Sequence, residues 1–446
     1  MAYTRDEVRG DSPLGLRTPL QPTLSARIPL ELFEETIDFM DRPALLGAAL
    51  VCAAWYPRAM HNLFSTVWLR DRTQFMSLAK LAHAYPRVRS WLATTRKLGA
   101  VDLNLTDHEL GWRLKTGPFL HAVPLVFGRM MSGLRSLHVE GGVHPHMLPK
   151  FCLALSQFKT IKSLSLRIAT LNSVSRILWI ISSFPQLTDL HLYRDIFFGI
   201  PPCWDDTRPS DFEPGCDIRL RRLQIDMDED DVRLPGAVVD WLVRLGACTS
   251  LDDLTVCWGE RPTRSTVLGY VNSILRAAGP SLTRYLEDAD LVVYTDSEQH
   301  ANLVHNTSLG SIDFGLVLVE DNKSTESWSG LLDNLTSILA TVRSRQLEHI
   351  SMLFQFQFII TNDALRLDSL RNVLENLDLM GLHDVMRRSY FERLKDVEML
   401  IIANNPVLHP VSEAHIEDAR QELLAMFRAL LMPWCDRNVV NLSVRR

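Results

Sequence analysis

The chain has 446 residues, 46% of them hydrophobic and 22% charged, and its 47 basic and 53 acidic side chains leave a net charge of −6. That composition is too apolar for a disordered chain and lacks the basic excess of a general nucleic-acid binder. The length suits roughly two to four domains, or one short domain joined to a long repeat array.

Targeting signals are not evident. The stretch Met1–Gly15 carries Asp6, Glu7 and Asp11 and no apolar core segment, so it does not read as a signal peptide. No uncharged apolar run reaches the roughly 18 residues a membrane span needs. The seven cysteines (Cys52, Cys152, Cys203, Cys216, Cys248, Cys257, Cys435) are widely spread and form no CxxC. These features predict free thiols in a reducing compartment, cytoplasmic or nuclear.

Residues 1–26 contain Pro13, Pro19 and Pro22 with few large apolar groups, which predicts a flexible tail. The composition changes at Ile28: of the 42 residues from Arg27 to Trp68, 25 are apolar. A first helix opens at Pro29 with Glu31, Glu34 and Glu35 near the positive end of its dipole and a stripe of Leu30, Phe33, Ile37 and Met40. Asp41 can cap a second helix, with Pro43 in its first turn and Leu46, Leu50 and Ala53 on one face. A third runs through Trp55, Ala59 and Leu63 and ends near Trp68. Residues 27–70 thus form a helical module, followed by a helical linker over 71–96.

A module of about 40 residues has too much surface for its volume to shield so many apolar groups alone. Its second helix shows the difficulty: Ala44, Leu45, Leu46, Ala48, Ala49, Leu50, Val51 and Cys52 leave it almost no polar face. A helix apolar all round needs cover on more than one side, from the same chain or from another protein.

Beyond residue 97 the six-residue template (apolar)-x-x-(apolar)-x-(apolar) recurs. It begins at Leu98, Leu134, Ile161, Leu187, Leu220, Leu251, Leu309, Leu347, Leu394 and Val439. Successive starts lie 36, 27, 26, 33, 31, 58, 38, 47 and 45 residues apart, and the interval of 58 predicts a weaker unit hidden near Leu282–Val293. Alternating apolar residues in short runs read as strands with one face inward. Between them lie helix-like stretches, among them Met147–Phe158, Val174–Phe184, Ala237–Cys248, Val267–Ala278 and Trp328–Val342. The fold expected is therefore α/β: a small helical module followed, over 97–446, by a strand–helix solenoid whose strands form one parallel sheet. Glu413–Leu431 reads as a capping helix that Pro433 stops.

These residues resemble a known combination. Ile28-Pro29-Leu30-Glu31-Leu32 resembles the Leu-Pro-x-Glu-Leu/Ile opening of the F-box, Leu50-Val51-Cys52-Ala53-Ala54-Trp55 its Val-Cys-(basic)-x-Trp signature, and Val67-Trp68 its closing step. The run Ala49–Arg58 is especially similar to F-box proteins of fungi, and the repeats resemble the leucine-rich repeats often joined to an F-box. Two departures stand out. Ala53 occupies the place of a basic residue, and the Asn or Cys that normally follows each repeat strand is replaced at Gly142, Ala169, Asp195, Asp228 and Gly259. Such substitutions predict irregular turns.

The resemblance implies a substrate-recognition subunit of an SCF-type cullin–RING ubiquitin ligase, without a catalytic site of its own. The F-box would bind a Skp-type adaptor and the repeats an unknown protein substrate, with no nucleic acid, membrane or cofactor involved. The adaptor-binding residues it implies are Pro29, Leu30, Leu32, Ile37, Leu46, Val51, Cys52 and Trp55. Two other readings stay open: a repeat scaffold whose N-terminal helices only cap the solenoid, and an enzyme with an unrecognised site.

No GxxxxGK[ST], GxGxxG, GxSxG, HExxH or CxxC occurs. The pair His144-x-His146 has no Cys or carboxylate close by and reads as loop. The acidic run Asp226–Asp231 fails the EF-hand template, because Asp231 stands where Gly is needed and Ala237 where the bidentate Glu is needed. No metal site is expected. Cys203 and Cys216 flank an inserted polar loop, and Trp204, Phe212 and Trp258 are candidate substrate-binding residues beside the sheet.

Overall fold

The structure, a computed structural model, describes residues 29–102, 119–141, 148–168, 174–193, 218–227, 233–258, 264–289, 300–318, 325–357, 377–404 and 413–445. The tail over 1–26 and the five positions that replace the repeat Asn or Cys lie outside them. The chain divides into two compact units, one ending at Ser65 and the other beginning at Thr66.

The first unit holds α1 (Leu30–Asp38), α2 (Arg42–Val51) and α3 (Tyr56–Ser65). The last helix stops three residues before Trp68; Val67 and Trp68 belong instead to strand β1 (Thr66–Leu69) of the second unit.

Eleven further strands follow: β2 (Lys97–Asp102), β3 (Ser136–Gly141), β4 (Ser163–Ile168), β5 (Asp189–Leu192), β6 (Arg222–Met227), β7 (Asp253–Trp258), β8 (Arg284–Ala289), β9 (Ser311–Leu318), β10 (His349–Gln357), β11 (Asp396–Asn404) and β12 (Val440–Arg445). All twelve join one parallel sheet in chain order, so each strand lies between its predecessor and its successor. Parallel neighbours need a crossover, and among the described residues helices lie in all of them except those from β5 to β6 and from β8 to β9. α4 (Arg72–Ala84) and α5 (Pro86–Ala93) connect β1 to β2, so residues 71–96 are the first crossover of the sheet rather than a linker to it. Later crossovers carry α6 (Val123–Phe127), α7 (Leu148–Leu155), α8 (Val174–Ser182), α9 (Arg233–Arg244), α10 (Arg264–Ala278), α11 (Thr325–Thr341), α12 (Met380–Met386), and α13 (Glu413–Leu430) with α14 (Met432–Cys435). Pro433 sits in the first turn of α14, where its fixed φ and missing N–H are tolerated, so it opens a short helix beyond the one it was expected to end.

Register explains the repeated template. Leu137, Leu164, Leu190, Leu223 and Leu254 are paired strand to strand, and two residues further on so are Val139, Leu166, Leu192, Ile225 and Val256. All ten are buried, as are Leu134, Ile161, Leu187, Leu220 and Leu251, which precede them. Helix residues complete this layer, for instance Ile177, Leu178, Ile180 and Ile181 of α8. Two units are framed differently from the sequence reading. Leu98, not Val101, pairs with Leu137, and Val440, not Leu442, pairs with Val397. At both ends the spacing of apolar residues alone left the frame ambiguous, and backbone pairing chose it.

The expected hidden unit is β8. Its inward positions are Tyr285 and Glu287, both buried, with the Tyr285 hydroxyl 3.0 Å from Glu287 Oε2. A carboxylate at an otherwise aliphatic position erases the pattern in sequence, while the tyrosine hydroxyl supplies a donor the buried oxygen needs.

The side chains of the other face start with a close fit. Trp68 of β1 pairs with Gly99 of β2, and a Cβ on Gly99 would lie 2.1 Å from Cε3 of the indole. Only glycine lets the ring lie over the neighbouring strand. Gly99→Val is expected to expel the indole and cost about 1–3 kcal/mol in urea unfolding of the full chain. In combination with Trp68→Ala the loss should be smaller than the sum of the single losses; strict additivity would exclude this contact.

Candidate functional site

The helical unit builds its own core and leaves another face bare. Asp41 caps α2 by accepting a hydrogen bond at 2.9 Å from the Ala44 N–H, and Pro43 occupies the first turn. Ile37, Leu45, Ala48, Ala59 and Leu63 are buried together, with Met40, Ala49, Trp55, Met60 and Phe64 packed around them. The Trp55 ring lies 5.5 Å from that of Phe33. α1 and α3 are also tied by polar contacts. Arg58 Nε donates to Asp38 Oδ1 at 2.7 Å, its Nη2 pairs with Oδ2, and Asn62 Nδ2 donates to Oδ1 at 2.8 Å. The Arg58 hydrogen bond, then that of Asn62, holds the Asp38 carboxyl down at about 2.

Three short helices can bury only one side of α2. Leu45 and Ala48 point inward, while Leu46 (58% exposed), Leu50 (87%) and Val51 (63%) do not. Leu30 (53%) and Leu32 (52%) of α1 are likewise exposed. Leu46 and Leu50 are four apart and share a helix face. Of the residues implied by the resemblance, Pro29, Leu30, Leu32, Leu46, Val51 and Cys52 are exposed, and Trp55 is half-buried. Ile37 requires a correction: at 1% exposure it is enclosed in the unit's own core and cannot reach a partner. Leu50 and Phe39, the latter 86% exposed, were missed as candidates. For Leu50 the signal was present, one turn beyond Leu46.

The outward face of the sheet carries polar and aromatic groups. In one register row stand Trp68, Gly99, His138, Ser165, His191 and Gln224. His138 Nδ1 lies 3.0 Å from Ser165 Oγ, its Nε2 3.4 Å from Glu140, and Glu140 is 3.1 Å from Arg167. His191 Nδ1 lies 3.1 Å from Gln224 Oε1. The His138 ring is 5.6 Å from Trp68 and 6.2 Å from Tyr193. A hydroxyl, an imidazole and a carboxylate in sequence could move a proton. Acyl transfer also needs N–H donors free to face an oxyanion, and in an interior parallel strand the ladder engages them. What the row offers is a half-buried hydrogen-bonding surface. It escaped the sequence reading because single polar residues two apart carry no pattern until neighbouring strands align them.

Trp204, Phe212, His144, His146 and Asp228–Asp231 lie outside the described residues, and the backbone of Trp258 ends β7 opposite Met227. Among the described residues no three His, Cys, Asp or Glu are grouped to hold a metal, and no helix is long and apolar enough to cross a membrane. Burial pushes the Cys152 thiol up to about 11 and that of Cys248 to about 12, which keeps both as thiols at neutral pH; Cys52 is exposed. No known protein family matches the chain, and no curated protein matches it in sequence.

The Asp38 cluster is testable by acid. A carboxyl held at about 2 stabilises the folded unit fully above the unfolded value of about 4, and this contribution disappears as pH falls through about 2. Both partners are more than a third exposed, so screening limits the pair to about 0.5–1 kcal/mol. Asp38→Asn should lower amide-exchange protection across residues 30–65 at pH 6 by a few fold, and the gap from the unaltered chain should close near pH 2. An undiminished gap there would assign the effect to packing instead.

Proposed function

We propose that this chain is the substrate-recognition subunit of an SCF-type cullin–RING ubiquitin ligase. In this reading residues 27–70 act as an F-box that docks on a Skp-type adaptor. The remaining chain is a leucine-rich-repeat-like solenoid that binds a protein substrate, and the chain has no catalytic role itself. Its compartment is then cytoplasmic or nuclear.

The observation that carries the reading is the apolar surface that the helical unit leaves bare. Leu30, Leu32, Leu46, Leu50 and Val51 are all more than half exposed, and they fall within the segment whose spacing resembles the F-box. Fully burying one such side chain is worth about 1.5–3 kcal/mol, so leaving five uncovered is a standing driving force for association. Helices serving only as an end cap would have no use for this surface. The in-order parallel strands, with helices in most of the crossovers among the described residues, support the repeat-array half of the reading.

The full chain should form a one-to-one complex with a Skp-type adaptor at micromolar concentration. Leu32→Asp and Leu50→Asp should each weaken it at least about tenfold by placing a charge in a desolvated contact, with urea unfolding of the sheet unchanged. In the free protein Cys52 should be alkylated faster than Cys152 or Cys248, and the bound adaptor should protect it. Absence of the complex with the unaltered chain would remove the proposal.

A further inference from the structure

One hydrogen-bond column runs along the edge of the sheet where the chain enters each strand. Arg96 accepts from the Arg135 N–H, Arg135 from Lys162, Lys162 from Thr188, Thr188 from Arg221, Arg221 from Asp252, and the column continues through Thr283, Gly310 and Glu348 to Lys395. Residues remote in sequence thereby become neighbours about 4.8 Å apart. The charges along this edge are unevenly distributed. The segments 93–98, 128–137 and 156–164, which lead into β2, β3 and β4, contain six Lys and Arg and no Asp or Glu.

Farther along, the edge neutralises its cations. Arg221 pairs with Asp252 at 2.8 Å, Arg222 with Asp189, Arg284 with Asp313 at 3.2 Å and Lys395 with Glu348 at 2.6 Å. Arg96, Lys97, Arg135 and Lys162 are exposed, and among the described residues none has a carboxylate partner. Beside Lys97 in the register stand Ser136 and Ser163, whose hydroxyls can donate to a carboxylate. In a chain of net charge −6, four adjacent uncompensated cations repel one another and are relieved by an anionic partner.

We infer that the strand-entry edge of β2–β4, formed by Arg96, Lys97, Arg135, Lys162, Ser136 and Ser163, docks a short acidic segment, rich in Asp or Glu, of a protein partner. The inference gives a chemistry to the substrate of the proposed receptor and to that extent rests on that reading. Size and surroundings select the occupant. Three strands span about 10 Å, the length of about three extended residues. Beyond Lys162 the cations of this edge are already answered, Arg222 by Asp189, Arg221 by Asp252 and Lys395 by Glu348. A long polyanion such as duplex DNA would run onto ion pairs already made, whereas a short acidic segment matches the stretch left uncompensated.

Fluorescence anisotropy on the full chain tests this with a labelled octapeptide alternating Glu and Gly, its Gln counterpart and a short DNA duplex. The Glu peptide should bind at low salt and weaken as salt rises, with the Gln peptide at least about tenfold weaker. Arg135→Glu combined with Lys162→Glu should reduce Glu-peptide binding by about tenfold or more. Arg284→Glu, an already paired site on the same edge, should change it less than about twofold. Thermal melting of each variant separates loss of the site from loss of the fold. Equal binding by the unaltered chain and the double variant, equal reductions by the double variant and Arg284→Glu, or tighter binding of DNA than of the Glu peptide would overturn the inference. Adaptor binding is measured on the same preparations. If it persists while the peptide fails, only the docking edge is refuted; if the peptide binds and the adaptor does not, only the ligase reading is.

Discussion

The second unit depends on strand register. A parallel strand here has one apolar side, and that side stays dry only when the neighbouring strands present theirs at the same height and a helix lies across them. The rows through Leu137–Leu254 and Val139–Val256 meet this condition strand after strand. Slipping any one strand by a single residue would turn its leucines to water and its polar residues into the core. Each strand is therefore stabilised mainly by the strands and helices beside it. The sheet also tolerates crossovers of very different length, since a crossover need only return the chain to the next position on the edge.

The same ladder makes the outer surface informative. Because alternate residues face away from the helices, aligning the apolar rows also aligns polar ones. His138 meets Ser165 and Glu140, and His191 meets Gln224. At the strand-entry edge the backbone ladder brings Arg96, Arg135 and Lys162 together, with no carboxylate partner among the described residues. Glu287 shows the opposite situation, a carboxylate on the covered side with the Tyr285 hydroxyl as neighbour. Polar groups in the interior must be answered locally, whereas those outside are available to another molecule.

The helical unit solves a different problem and leaves part of it unsolved. Its small core of Ile37, Leu45, Ala48, Ala59 and Leu63 is joined by the Asp38–Arg58–Asn62 contacts. Three helices of nine or ten residues have no further surface with which to cover Leu46, Leu50 and Val51. The apolar excess visible in composition thus reappears as exposed surface, and its position decides which residues of the helical unit are free to make contacts.

Local chemistry in the sequence determined much of this protein. The Asp41 cap, the prolines in first turns, the helical stripes and the recurring leucine template place most helices and strands, because each depends on neighbours a few residues away. Even the weak unit at β8 was marked by the interval it left. Tertiary structure decided whatever requires two distant segments to meet. It framed the first and last repeats by backbone pairing, turned residues 71–96 from a linker into a crossover, and sent Ile37 inward while leaving Leu50 outside. It also brought His138 to Ser165 and placed Arg96, Arg135 and Lys162 side by side. Periodicity specifies that a residue has an apolar or a polar side to satisfy; only packing specifies which neighbour satisfies it.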